Sequence, residues 1–163
     1  MAKAKKGSSG TPATQALTAA AISHTLHPYD HDADATHFGA EAAEKLGVDP
    51  ATIFKTLVVT DGSGLAVAVV PVSSQLDLKA MATALGAKKV TMADPQVAAR
   101  SSGYVVGGIS PIGQRTPLPT VIDSSAQRLE LIMVSAGRRG LQVQLSPADL
   151  AQTTGASYAP IGR

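Results

Sequence analysis

The chain has 163 residues, the usual length of one domain, and 44% of them are hydrophobic, which suffices for a core without staples. It has no cysteine, which excludes disulfide bonds, thiolate metal sites and a cysteine nucleophile. The formal net charge is +2, and Lys3, Lys5 and Lys6 supply three of the fourteen basic residues, so the remaining chain is close to neutral. We therefore expect no coating of DNA or another long nucleic acid, whereas contact with a few phosphates stays open.

The N-terminal segment differs from the rest of the chain. Residues 1–10 are basic and rich in Gly and Ser, which predicts a flexible tail, and residues 11–163 form the predicted domain. No apolar stretch follows the basic residues, so a secretory signal is not expected. No run approaches the roughly 18 apolar residues of a membrane helix, and we expect a cytosolic protein with no membrane contact.

Helix starts are marked by Asp, Ser or Thr directly before proline, because such a residue caps the helix and proline at its first position forfeits no hydrogen bond. Four pairs fit: Thr11-Pro12, Asp49-Pro50, Asp94-Pro95 and Ser146-Pro147. Asp77 predicts a further cap. The predicted helices, in chain order, are Pro12–Ala21, Glu41–Leu46, Leu78–Leu85, Pro95–Arg100 and Pro147–Thr154.

Strand-like runs lie between the helices. The predicted strands are Phe54–Val59, Leu65–Val70, Lys89–Met92, Thr120–Ile122, Glu130–Val134 and Leu141–Leu145. Asp61–Gly64 predicts a hairpin turn between the first two, and Ala136–Gly140 predicts one between the last two. Hairpins mixed with helices indicate an α/β (α+β) fold with a mixed sheet, not a doubly wound parallel one.

The segment from His24 to His37 is the densest in histidine and aspartate. Its His and Asp spacings are compatible with a zinc ligand set, but no helical or strand period places two ligands on one face. An Asx-rich loop with solvated charges is therefore favoured, and we expect no metal. Ser110 precedes a proline and lies in no G-x-S-x-G string, which argues against a nucleophile elbow.

Two other features carry more information. Glycines at 103, 107, 108 and 113 permit a backbone that approaches a ligand closely, with N–H groups that can receive an oxyanion, although an ordinary turn-rich connection explains them too. Lys55 interrupts the apolar strand Ile53–Val59, so it faces either solvent, as an edge-strand lysine, or a polar pocket. For Arg138-Arg139 a solvated turn is favoured over a phosphate clamp.

Five strings stand out in a fixed order: HPYDHD (27–32), HFG-x-EAA-x-x-LG (37–47), FKTL (54–57), GYVVGGISPIGQ (103–114) and SAGRRGL (135–141). In this combination the chain resembles the YbaK family of aminoacyl-tRNA deacylases over about residues 11–160. The likeness is strongest to the Cys-tRNA(Pro) deacylases, which are freestanding relatives of the editing domain of bacterial prolyl-tRNA synthetases.

The resemblance implies a compact domain with a barrel-like mixed sheet flanked by short helices. It also implies an editing enzyme that needs no cofactor, acts on the 3′ end of mischarged tRNA(Pro), and works beside prolyl-tRNA synthetase. The cysteinyl thiol of the substrate would attack its own ester carbonyl, so the protein itself supplies no nucleophile. That fits a chain without cysteine and without a recognisable triad.

Site residues follow from the same resemblance, position by position. Lys55 matches the essential pocket lysine, and Gly107 and Gly108 match the loop whose N–H groups face the scissile carbonyl. The remaining matches are substrate contacts: Tyr29, Phe38, Thr56, Ile109, Ser110, Pro111 and Ser135.

Two other functions stay open. The same pocket could serve water-mediated hydrolysis of Ala-tRNA(Pro), a choice that depends on pocket volume. A non-catalytic tRNA-binding or synthetase-binding module of the same fold is the other alternative.

Overall fold

A computed structural model describes residues 10–163, so the predicted tail, apart from Gly10, lies outside the described residues. Five α-helices are present in this part of the chain: α1 Pro12–Ala19, α2 Phe38–Leu46, α3 Leu78–Leu85, α4 Pro95–Ser102 and α5 Pro147–Thr154. A 3-10 helix spans Ser124–Arg128. No helix within residues 10–163 is long and apolar enough to cross a membrane.

Eight strands form two sheets. They are β1 Thr25–Pro28, β2 Phe54–Thr60, β3 Leu65–Pro71, β4 Thr91–Met92, β5 Thr120–Asp123, β6 Ile132–Arg138, β7 Leu141–Leu145 and β8 Ser157–Ala159. The smaller sheet is antiparallel in the order β1-β7-β6, and the larger is mixed in the order β4-β2-β3-β5-β8. A parallel bridge between Ile53 and Met133 joins the start of β2 to β6. The predicted mixed α/β domain is confirmed, with its strands divided between two sheets.

Capping chemistry explains the helix boundaries. Thr11 caps α1 in a reciprocal box with Thr14, and Asp77, Asp94 and Ser146 each accept a backbone N–H at the start of a helix. The fourth predicted start, at Asp49-Pro50, is wrong. Its side chain accepts the N–H of Ala51 in a turn, because the chain enters the larger sheet almost at once and leaves no room for a helix.

The other differences concern element ends. The helix α1 ends at Ala19, whereas α2 begins at Phe38 and α4 continues to Ser102, beyond their predicted limits. The strand β6 continues through a bulge to Arg138, so the second hairpin turn is shorter than predicted. Two short strands, β1 and β8, were not predicted, since each is defined by pairing with a distant partner and not by its own pattern.

Two aliphatic cores lie on the two faces of the larger sheet. The main core lies between the smaller sheet, α1, α5 and one face of β3 and β5, and it includes Leu17, Ile132 and Leu150. A second core packs α3 against the larger sheet through Met81 and Val59. The two sheets adjoin along β2 and β6, and a cavity opens to solvent at the seam between them.

Candidate active site

A cavity with a volume of about 480 Å³ lies at the seam of the two sheets. Its walls come from β2, the start of α2, the edge strand β4, the glycine-rich segment before β5, and the hairpin of β6 and β7. Residues from five separate stretches of sequence therefore converge on one concave surface, which is the usual setting for a ligand site.

The strand β2 contributes Lys55 and Thr56 to the wall. Burial lowers the pKa of Lys55, since removing water from around an ammonium group disfavours its charged form. No carboxylate within residues 10–163 forms an ion pair with Lys55, so its charge is available to a ligand. The hydroxyl oxygen of Thr56 is buried and has no hydrogen-bond partner among the described residues.

The hairpin of β6 and β7 places Ser135 opposite Gln142 in register, and both line the cavity. Gln142 is only 8% exposed, and its side-chain oxygen finds no partner in the described part of the chain. A buried acceptor without a donor costs about 1–3 kcal/mol. Together with Thr56, it gives the cavity two polar groups that a ligand or water can satisfy.

The glycine-rich segment forms the cavity wall next to the hairpin. Gly107 has a φ of 89°, and a Cβ added there would lie 2.9 Å from both the Phe38 ring and the Arg139 Nε. The N–H of Gly108 donates to the Val105 carbonyl at 2.9 Å, which fixes the turn. The amides of Gly107 and Ile109 donate to no acceptor within residues 10–163, so both are free donors beside the cavity, as are those of Val106 and of the uncapped first turn of α2.

Two contacts hold this segment in place. Arg139 stacks over the Phe38 ring at 4.9 Å and its Nε donates to the Val106 carbonyl at 2.8 Å. At the base of the segment, the Tyr104 hydroxyl donates to the Ile112 carbonyl at 2.6 Å. Burial raises the pKa of Tyr104 to about 12, so it stays a neutral donor. The loop is thus anchored from both ends.

The histidine-rich segment is organised differently. The His31 Nδ1 lies 2.8 Å from a carboxylate oxygen of Glu41, whose other oxygen accepts the N–H of Asp32 at 2.7 Å. Burial alone would raise the pKa of Glu41, but the Asp32 N–H and the His31 ring outweigh it and the pKa is lowered. Residues 10–163 contain no group of three or more His, Asp or Glu placed to hold a metal ion.

The ten predicted site residues divide into two groups. Six of them line the cavity: Phe38, Lys55, Thr56, Gly107, Ile109 and Ser135. Four do not, namely Tyr29, Gly108, Ser110 and Pro111. Ser110 is fully buried and its Oγ accepts the N–H of Ile112, so together with Pro111 it shapes the loop without reaching the cavity.

Tyr29 lies against the hairpin and does not line the cavity. Its N–H donates to the Gly140 carbonyl, and its ring packs on the small cluster that contains Ile53 and Met133. Burial raises the pKa of Tyr29. Fourteen of the twenty residues of the wall were not predicted, and three of these carry polar or flexible side chains: His37, Met92 and Gln142. Two of these carried a signal in the sequence: His37 ends the histidine-rich segment, and Gln142 is a polar residue in the strand Leu141–Leu145.

Comparison with known proteins assigns this chain to a family. Residues 33–153 match the family described as "Aminoacyl-tRNA editing domain". A protein of Enterococcus faecalis (strain ATCC 700802 / V583), named "Putative Cys-tRNA(Pro)/Cys-tRNA(Cys) deacylase EbsC", is 43% identical over 127 residues, which cover 77% of each chain.

Solved structures share the fold. The crystal structure of "hypothetical protein APE2540" superposes with a TM-score of 0.83 and 27% identity, covering 94% of this chain and 100% of that one. The crystal structure of "a putative trans-editing enzyme for prolyl tRNA synthetase" superposes with a TM-score of 0.77 and 23% identity, covering 95% and 99% of the two chains. The match over most of the sequence, with the cavity inside the matched region, shows that the chain belongs to the aminoacyl-tRNA editing domain family.

Proposed function

We propose that the protein is a freestanding aminoacyl-tRNA deacylase that removes cysteine from Cys-tRNA(Pro), with the thiol of the substrate as the nucleophile. The proposal rests on the cavity wall, which contains the half-buried ammonium group of Lys55 together with the free amides of Gly107 and Ile109. Family membership and the 43% identical relative support the aminoacyl-tRNA ester as substrate.

The hydroxyls of the cavity favour a substrate nucleophile. Thr56 Oγ1 has no hydrogen-bond partner, and Ser135 Oγ accepts the N–H of Gly137, within the described residues. Neither is paired with a histidine or carboxylate, which a serine or threonine nucleophile needs for activation. Ser110, the other serine near the loop, is fully buried.

The proposed reaction is an internal acyl transfer. The cysteinyl sulfur bonds to the ester carbonyl carbon, the bond from that carbon to the ribose oxygen breaks, and the thiol proton ends on the released ribose hydroxyl. The product is a four-membered cyclic thioester, which water then opens to free cysteine. Correct orientation of an internal nucleophile is worth about 7–11 kcal/mol in well-placed systems.

The chain's own contribution is geometry and charge. We assign the Gly107 and Ile109 amides, two of the free donors beside the cavity, to the oxyanion, and each such donor is typically worth about 3–4 kcal/mol. Gly108 was predicted as a second donor, but its N–H donates to the Val105 carbonyl and fixes the turn. The Lys55 ammonium binds the terminal nucleotide or its phosphate as a point charge. Tyr29, Ser110 and Pro111 act behind the wall, as supports.

The low net charge of the chain bears on how it selects its tRNA and on its partner. A body close to neutral charge favours a protein that obtains tRNA(Pro) selectivity from prolyl-tRNA synthetase, and we place both in the cytosol. Strong selection of tRNA(Pro) by the isolated protein, insensitive to salt, would contradict this view of the partner.

One observation favours a second candidate. The unpaired oxygens of Gln142 and Thr56 offer acceptors that could hold a water, as a water-mediated Ala-tRNA(Pro) deacylase requires. A deacylation panel with Cys-, Ser- and Ala-tRNA(Pro) separates the two, because only a thiol is a strong internal nucleophile. Efficient cleavage of the Ser or Ala ester would reject thiol self-attack.

The panel includes variants of Lys55. We expect Lys55→Met to lose at least about 10²-fold in kcat/KM and Lys55→Arg, which keeps the charge, to lose less. Since burial lowers the Lys55 pKa, activity is expected to fall with rising pH earlier than for an exposed lysine. A wild type that binds tRNA without measurable turnover would instead identify a binding module.

A further inference from the structure

A second concavity lies on the far side of the edge strand β4. This basic groove has a volume of about 550 Å³ and lies between α3 and the segment that leads into β4. Its floor is apolar, with Ala82 and Val90 buried, and its rim carries the exposed residues Lys79, Lys88 and Lys89. No acidic residue lines it.

The groove carries three positive charges without a negative one. Setting aside Lys3, Lys5 and Lys6 leaves eleven basic residues against twelve acidic ones in residues 10–163, so the described body is slightly acidic. None of the three groove lysines enters an ion pair within that range. The flanking acids Asp77 and Asp94 are engaged as helix caps. The three lysine ammonium groups are therefore not paired with a carboxylate within residues 10–163.

The groove and the candidate active site are lined by consecutive residues of one segment. Lys88, Lys89, Val90 and Thr91 line the groove, and the next residue along the chain, Met92, lines the cavity that holds Lys55. At about 3.3 Å per extended residue, Lys89 and Met92 are about 10 Å apart. That distance corresponds to about three stacked nucleotides at ~3.4 Å each.

We infer that the basic groove binds the sugar-phosphate backbone of the 3′-terminal strand of the tRNA whose aminoacyl end occupies the cavity. The inference rests on the proposed function for the identity of the RNA. Lysines supply point charges to phosphates without reading sequence, and the exposed side chain of Met92 gives a passing base an apolar surface. A groove of this kind holds any tRNA, which fits a body that leaves tRNA choice to a partner.

The test uses Lys79→Gln/Lys88→Gln/Lys89→Gln and an RNA minihelix with a single-stranded CCA end. We expect this variant to bind the minihelix without an attached amino acid tenfold or more weakly than the wild type does at low salt. The slope of log affinity against log salt should fall by about 2, at ~0.7 per lost contact to a single strand. These binding measurements stand even if the protein proves to have no deacylase activity.

A matched control lowers the net charge equally on the opposite side. Gln127→Glu/Ala148→Glu/Gln152→Glu changes exposed positions on and beside α5, which packs near β8 at the other edge of the larger sheet. We expect this variant to bind the minihelix nearly as the wild type does. An equal loss in both variants would overturn the groove assignment, because net charge alone would then explain it.

Deacylation locates the effect along the RNA. With a cysteinylated minihelix, the groove variant should raise KM by tenfold or more and leave kcat within about twofold. With a cysteinylated CA dinucleotide, too short to reach Lys89, it should behave as the wild type. Equal losses on both substrates, or unchanged minihelix binding, would overturn the inference; unchanged RNA binding with lost binding to prolyl-tRNA synthetase would assign the groove to an acidic protein surface.

Discussion

The glycine-rich segment 103–113 and the histidine-rich segment 24–37 both stand out in the sequence, yet the fold uses them in opposite ways. The first holds amides at Gly107 and Ile109 without acceptors, next to an open cavity. The second is held against α2, where Glu41 binds both the His31 ring and the backbone N–H of Asp32. Free hydrogen-bonding groups beside a cavity therefore mark the site better than a high density of ionisable residues does.

The largest effect is expected from Gly107→Ala. The new Cβ would meet the Phe38 ring and the Arg139 Nε at 2.9 Å, in a backbone conformation with φ of 89°, and displace the free amide. We expect a loss of about 10²–10³-fold in kcat, comparable to the removal of an oxyanion donor. Single-turnover deacylation of Cys-tRNA(Pro) measures it.

Gly62→Ala is the matched control for that variant. Gly62 has a φ of 97° but nothing lies within 4 Å of an added Cβ, so it shares the backbone strain without the clash. It should cost about 1–2 kcal/mol of stability and leave kcat unchanged. If the two variants lost activity equally, crowding at the glycine-rich segment would not be the cause.

The histidine-rich segment should respond in stability and not in catalysis. Glu41→Gln removes a buried carboxylate that binds two partners, and we expect the free energy of unfolding to fall by about 1–3 kcal/mol with kcat nearly unchanged. Urea unfolding measures this, with Glu44→Gln, an exposed position on the same helix, as the control. A large loss of kcat without a loss of stability would place this segment in the site.

The same variant gives the pH dependence its sign. Because the folded-state pKa of Glu41 is lowered, its stabilisation is fully present above the unfolded-state pKa and disappears as the pH falls through the folded-state pKa. The stability difference between the wild type and Glu41→Gln should therefore be constant near neutrality and shrink in acid. A difference that grew in acid would contradict the assignment.

A smaller effect is expected from Arg139→Gln, which removes the contact between the hairpin and the glycine-rich segment. Loss of the Nε bond to Val106 and of the stacking on Phe38 should lower kcat by about 3–10-fold with little change in stability, since the site is exposed. Arg138→Gln is the neighbouring control. Equal activity of the two variants would show that the loop holds its shape without Arg139.

The sequence by itself determined most of the local structure. Caps at Thr11, Asp77, Asp94 and Ser146 start helices because each satisfies backbone N–H groups within a few residues. The hairpin at Asp61–Gly64 forms for the same local reason, since Asp61 accepts the N–H groups of Ser63 and Gly64. These interactions close over short distances, so their residues can be recognised without knowing the fold.

Tertiary structure alone decided which residues face the cavity. Gln142 lines the cavity because β7 pairs with β6 and that sheet meets β2 at the Ile53–Met133 bridge. Ser110 and Pro111 do not line the cavity, because the loop turns inward over Ile112. Likewise, the basic groove exists because α3 folds against the approach to β4, which brings Lys79 beside Lys88 and Lys89. Such proximities depend on packing between distant segments, and no local pattern of residues encodes them.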